Sequence, residues 1–152
     1  LDVGVPHQTA LIRKLKKEHI PQTDLAIFDA PPGTSCPVVN TVEGADLIIV
    51  VGEPSPFGLN DMKLLIEILK DIGIPFAVVI NKDGTGNDKM EKYLKTENID
   101  IISKIPFSED IAREYSKADI AQLATHVKMS ETLKQIWGYI DKKVIKKQHA
   151  NN

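Results

Sequence analysis

The residues best suited to chemistry lie where apolar runs stop. Leu25-Ala26-Ile27-Phe28 is followed by Asp29 and then by Ala30-Pro31-Pro32-Gly33-Thr34-Ser35. An apolar run ending in an acid is a Walker B pattern. A buried strand carries the carboxylate to the edge of a sheet, where it can hold a water on Mg²⁺ or orient a water near a nucleotide phosphate. The two prolines fix φ and Gly33 releases it, so the backbone from Pro32 to Thr34 can bring an N–H close to a phosphate. The same residues would also serve as a plain turn or cap. Val78-Val79-Ile80 runs into Asn81-Lys82-Asp83-Gly84, close to the Asn-Lys-x-Asp motif that reads guanine, but Gly84 stands where that motif needs its acid. Guanine is therefore disfavoured. Asn81 can still donate to adenine N7 and accept from N6, or it can close a turn together with Gly84. Ile105-Pro106-Phe107 can line a base pocket, with Ser108 capping the next helix, or can serve as loop punctuation alone. Gly52-Glu53-Pro54-Ser55-Pro56-Phe57-Gly58 reads as a stiff loop delivering Asn60 and Asp61 into a helix, with Asn60 as the expected cap.

No glycine precedes a Lys-Ser or Lys-Thr pair, so the phosphate-cradling loop of a P-loop enzyme is not among these residues. Gly84-Thr85-Gly86-Asn87-Asp88-Lys89 is the nearest look-alike, and it lacks the required ending. Hydrolysis by this chain alone is not expected.

Short apolar runs at 25–29, 46–51, 76–80 and 99–103 predict buried parallel strands. Helical periodicity falls at 11–19, 38–43, 59–72, 88–96, 109–116 and 130–147. In the last of these Leu133, Ile136, Trp137, Ile140 and Val144 share one face, and Trp137 is expected to be a core contact. Strands alternating with helices predict an α/β fold: a doubly wound, mostly parallel sheet between two helix layers, with ligands beyond the carboxyl ends of the strands.

A chain of 152 residues, 42% hydrophobic and 26% charged, has the profile of one ordinary domain. Cys36 is the only cysteine, which excludes a disulfide framework, an all-cysteine zinc site and a self-contained iron–sulfur cluster. Beside the Pro-Pro-Gly turn it reads as a small packing residue or a redox thiol. A reducing, cytoplasmic setting fits. The formal net charge of −2 gives no global case for nucleic acid as a partner. The strongest apolar run, 47–51, is far too short to span a bilayer, and no signal-peptide layout opens the chain. The four histidines show no metal-ligand spacing. The basic residues at 13–17, with Lys142, Lys143, Lys146 and Lys147, read as solvated helix surface.

Together, Phe28-Asp29-Ala30-Pro31-Pro32-Gly33-Thr34-Ser35-Cys36-Pro37-Val38 and Gly52-Glu53-Pro54-Ser55-Pro56-Phe57-Gly58-Leu59-Asn60-Asp61 closely resemble the MinD/ParA/Mrp group of deviant P-loop ATPases. More narrowly, they resemble the MinD-superfamily ATPases that carry an inserted ferredoxin domain. Ile80-Asn81-Lys82 and Ile105-Pro106-Phe107 follow in the order such proteins show. The resemblance implies a P-loop NTPase-like fold that is incomplete at its N-terminal side, with residues 1–152 forming a single partial domain. It implies an ATP-binding and hydrolysing switch protein with an iron–sulfur or electron-transfer association. Asp29 would be the catalytic and Mg²⁺-linked acid, acting through water. Pro32, Gly33 and Thr34 would sense the γ-phosphate, Asn81 would contact adenine, Lys82 would belong to the nucleotide site beside it, and Pro106 with Phe107 would wall the base pocket. ATP and Mg²⁺ would belong to the complete protein and iron–sulfur clusters to the inserted domain. The implied partners are an amino-terminal part or partner chain that supplies the phosphate loop, a second copy in a homodimer, and an iron–sulfur or electron-transfer protein. A chain opening on Leu1 fits a carboxy-terminal part of that kind. The alternative is a non-catalytic binding or assembly subunit on the same scaffold.

Overall fold

The structure is a computed structural model that describes residues 7–19, 25–117 and 120–145. Its order is α1 (His7–His19), α2 (Cys36–Val42), β1 (Ile48–Gly52), α3 (Pro56–Ile72), β2 (Phe76–Asp83), α4 (Lys89–Thr96), β3 (Ile101–Pro106), α5 (Glu109–Ser116), α6 (Ile120–Thr125) and α7 (Val127–Ile140). A π-type turn at Asp141–Ile145 continues α7. The three strands form one parallel sheet in the order β1-β2-β3. Ile48 lies opposite Phe76 and Gly52 opposite Ile80, while Val78 lies opposite Ile101 and Asp83 opposite Pro106.

Alternation along β2 divides the core. Val78 and Ile80 face one way and pack with Val50 of β1, Met62, Ile66 and Leu69 of α3, Met90 and Leu94 of α4, and Val38 and Val42 of α2. Ala77 and Val79 face the other way and are also buried. On that side Ser103, opposite Val79, donates to Thr132 of α7 across 3.3 Å, so two buried hydroxyls satisfy one another where the helix meets the sheet. Helices therefore lie on both faces. The Tyr139 hydroxyl donates to Asp100 Oδ2 at 2.7 Å and fastens the end of α7 beside β3. Burial first, and then that carboxylate, push the phenol up to about 12.

Three of the four expected strands form. Residues 25–29 do not: they pair with no described strand, and Ile27 is 82% exposed. A strand exists only through its neighbour's hydrogen bonds, and the sheet ends at β1, whose outer edge is unpaired among the described residues. The helix expected from 59 begins at Pro56. Ser55 rather than Asn60 is its cap, with the Ser55 hydroxyl accepting from the Gly58 N–H at 3.0 Å. Ser followed by Pro at the first helical position is the stronger start signal, and it places Asn60 inside the helix. Trp137 is not a core contact: it is 53% exposed and Leu133 is 44% exposed, because α7 turns Thr132 toward the sheet. Lys146 and Lys147, the end of the expected last helix, lie outside the described residues.

Candidate functional site

The carboxyl ends of β1, β2 and β3 release three loops along one edge of the sheet, where a doubly wound fold binds its ligands. After β1, the Glu53 carbonyl accepts from the Ser55 N–H at 2.8 Å and Ser55 caps α3. This tight turn and the start of α3 enclose a cavity of about 290 Å³, lined chiefly by Val51, Gly52, Glu53, Phe57 and Asp61 and, from the distant turn, by Gly33. Gly33 has φ +94, a conformation that a side chain strains. The Pro31-Pro32-Gly33 turn thus reaches the end of β1. Asp29 is exposed, at the start of this turn, and Pro32 and Thr34 are exposed beside Gly33. Among the described residues no three His, Cys, Asp or Glu side chains cluster closely enough to hold a metal ion.

The second group stands on β2 and β3. Asn81 Oδ1 accepts from the Lys82 N–H at 2.9 Å, so its oxygen closes a local turn while its amino group remains the donor it can offer to a base. The local turn is the reading of Asn81 that this contact meets. Lys82 has φ 54, and its ammonium pairs with Glu53 Oε2 at 2.9 Å, which joins the loop after β1 to the carboxyl end of β2. Hydrogen bonding and charge from Lys82 hold the Glu53 carboxyl below the usual glutamate range. Both side chains are about half exposed, so solvent screens the pair and it acts mainly as a tether between the two segments. The Phe107 N–H donates to the Asp83 carbonyl at 2.9 Å, which sets Pro106 and the 56%-exposed Phe107 beside the end of β2. Asn81, Lys82, Pro106 and Phe107 are therefore neighbours, and Gly33 lies at the β1 end of the same edge. Sequence reasoning missed Glu53, whose signal was its place directly after β1, opposite the lysine of Asn81-Lys82.

Gly86 closes the two loops on each other: a Cβ there would sit 1.6 Å from the Pro54 carbonyl oxygen. Gly86→Ala is expected to force the loops apart at a cost of about 1–3 kcal/mol. Urea unfolding measures it, and a midpoint equal to wild type would show that the loops are not in contact.

No family model matches the chain. Its α/β fold resembles that of a ParA family ATPase. A ParA family ATPase from Chlorobium tepidum superposes with a TM-score of 0.53 at 22% identity, over 69% of this chain and 45% of that one. Two uncharacterized proteins of Methanocaldococcus jannaschii, MJ0578 and MJ0579, are each 29% identical, over 90% and 78% of this chain and 47% and 41% of their own lengths. An iron–sulfur cluster carrier protein of Pyrococcus furiosus is 30% identical over 65% of this chain and 38% of its length. Fold and sequence thus point the same way, the fold toward a ParA family ATPase and the sequence toward an iron–sulfur cluster carrier protein, each as a similarity. It spans less than half the length of these curated relatives.

Proposed function

We propose that the chain is the switch-side part of a MinD/ParA-like ATP-binding and hydrolysing protein that serves iron–sulfur or electron-transfer chemistry in the cytoplasm. The observation that carries this is the position of Gly33, on the turn after Asp29, at the carboxyl end of β1, with Asn81, Pro106 and Phe107 on the same sheet edge. In this reading the backbone from Pro32 to Thr34 meets the γ-phosphate and Asp29 orients a water on Mg²⁺. The amino group of Asn81 donates to adenine, and Phe107 with Pro106 covers the ring. Mg²⁺ supplies charge neutralisation at the phosphates when bound. The phosphate-binding loop comes from outside these residues, from the rest of a longer protein or a partner chain, and the unpaired edge of β1 is where its strand joins. Pairing with a second copy follows nucleotide binding. The iron–sulfur part rests on the similarity to the carrier protein. Cys36, the only cysteine, cannot by itself ligate a cluster, so any cluster is held elsewhere.

Isothermal titration of Mg-ATP tests the reading. The 152-residue chain alone is expected to bind more weakly than about 1 mM, because the phosphate grip supplies most of the affinity. The same chain joined to the coding sequence upstream of it in its gene is expected to bind at least about tenfold more tightly, with Asn81→Ala removing much of that gain. A joined protein that binds no Mg-ATP would favour the second reading, a non-catalytic assembly subunit. That reading draws on the lack of a Gly-Lys-Ser/Thr sequence in the chain.

A further inference from the structure

Helix α1 carries a cation whose contacts lead to both ends of the Asp29–Ser35 turn. Lys16 Nζ donates to the carbonyl oxygens of Asn40 at 3.0 Å and Glu43 at 2.6 Å, in and just after the last turn of α2, where carbonyls have no partner within the helix. The same ammonium lies 5.7 Å from the centre of the Phe28 ring, the residue before Asp29. One turn back on α1, Arg13 Nε donates to Asn40 Oδ1 at 3.1 Å, and Asn40 Nδ2 donates to the Cys36 carbonyl at 2.8 Å. Cys36 opens α2 directly after Ser35. Partial burial pulls the Lys16 ammonium below the ordinary lysine range while the nearby Glu43 carboxylate opposes that. This is no freely solvated surface lysine, although the run 13–17 reads as one in sequence.

We infer that Lys16, backed by Arg13, is a positioning residue for the turn between Asp29 and Ser35, holding its entrance through Phe28 and its exit through α2. The inference rests on the proposed function for what the turn does, though not for the anchoring itself. An exposed turn that pairs with no described strand has few contacts of its own, so where it rests depends on what grips its ends. Lys16 grips both from a single atom. Movement of α1 or neutralisation of Lys16 would then free the turn without touching nucleotide.

Cys36 is unique and exposed, so an environment-sensitive fluorophore on its sulfur reports the turn's exit directly. In the labelled full chain, Lys16→Met is expected to raise iodide quenching of the fluorophore at least about twofold and to lower its anisotropy. Lys16→Arg keeps the charge and the donors and should restore both signals to near wild type. Lys14→Met is the control, since Lys14 is an exposed partner of Glu18 on the same helix, and it should change neither. Should Lys16→Met lose its cooperative thermal transition, Arg13→Gln carries the test, and it too should raise quenching. Wild-type quenching in a folded Lys16→Met chain, or an arginine variant as loose as the methionine variant, overturns the anchor. No nucleotide is needed, so failure here counts against the anchor, whereas absence of Mg-ATP binding counts against the proposed function.

Discussion

Asp29→Ala is expected to lower the rate of Mg-ATP hydrolysis by the nucleotide-competent protein at least about 100-fold, the scale of losing one preorganised electrostatic group at a reacting phosphate. Stability should move by no more than about 0.5 kcal/mol, because Asp29 is exposed and packs no core. The turn it precedes should stay in place, since the two prolines and the positive φ of Gly33 set its shape and Lys16 holds its ends, none of them through the Asp29 carboxylate. Asp46, an exposed acid before β1, is the matched control. Asp46→Ala should leave turnover unchanged. Steady-state hydrolysis with an unfolding midpoint for each variant separates the cases. Turnover of Asp29→Ala within threefold of wild type would remove Asp29 from the chemistry and return its motif to the plain-turn reading.

How far the molecule was legible depends on whether a segment's structure is decided locally or by a neighbour. Runs such as Phe76-Ala77-Val78-Val79-Ile80 are buried on both faces, and their β-branched composition marks them as parallel strands wherever they pair. Residues 25–29 have the same composition and no described strand to pair with. Pattern reports what a segment would bury, and pairing is settled by another part of the chain. The cap at Ser55 was legible and was passed over in favour of Asn60, although Ser-Pro states the helix start in two residues. Trp137 failed differently. Its face of α7 has a sound helical period, but the buried position went to Thr132, whose hydroxyl answers Ser103 across the interface, and no periodicity of apolar residues contains that. Within the site, residues set by one loop each were legible, namely Gly33, Asn81 and Phe107. Glu53 and Lys16 were missed because their partners stand 29 residues away at Lys82 and 24 or 27 residues away at Asn40 and Glu43.

The second large effect concerns the helix that holds the cavity in place. Ile66→Ala is expected to destabilise the chain by about 2–5 kcal/mol, because it removes three carbons from a fully buried position and leaves a void among close-packed neighbours. For a domain of this size that lowers Tm by roughly 2–4 °C per kcal/mol. The neighbours decide that the void persists. Val78 and Ile80 are fixed in the middle strand, and Met90 and Leu94 belong to α4, so the unbranched Met62 side chain is the neighbour best able to lean into the gap. Leu64 lies two residues before Ile66 on the same helix and is 47% exposed, so Leu64→Ala should cost under about 0.5 kcal/mol. The pair tests the orientation of α3, since Leu64 and Ile66 lie on opposite sides of the helix and a rotation of about half a turn would exchange the two results. Orientation matters for function because the buried face of α3 also supplies Met62 and Leu65 to the wall of the cavity that Gly33 approaches, while Phe57 and Asp61 form its rim. Urea titration of both variants checks it. Equal costs would mean that α3 is not seated on the sheet through Ile66, and the cavity at the end of β1 would lose the support that defines it.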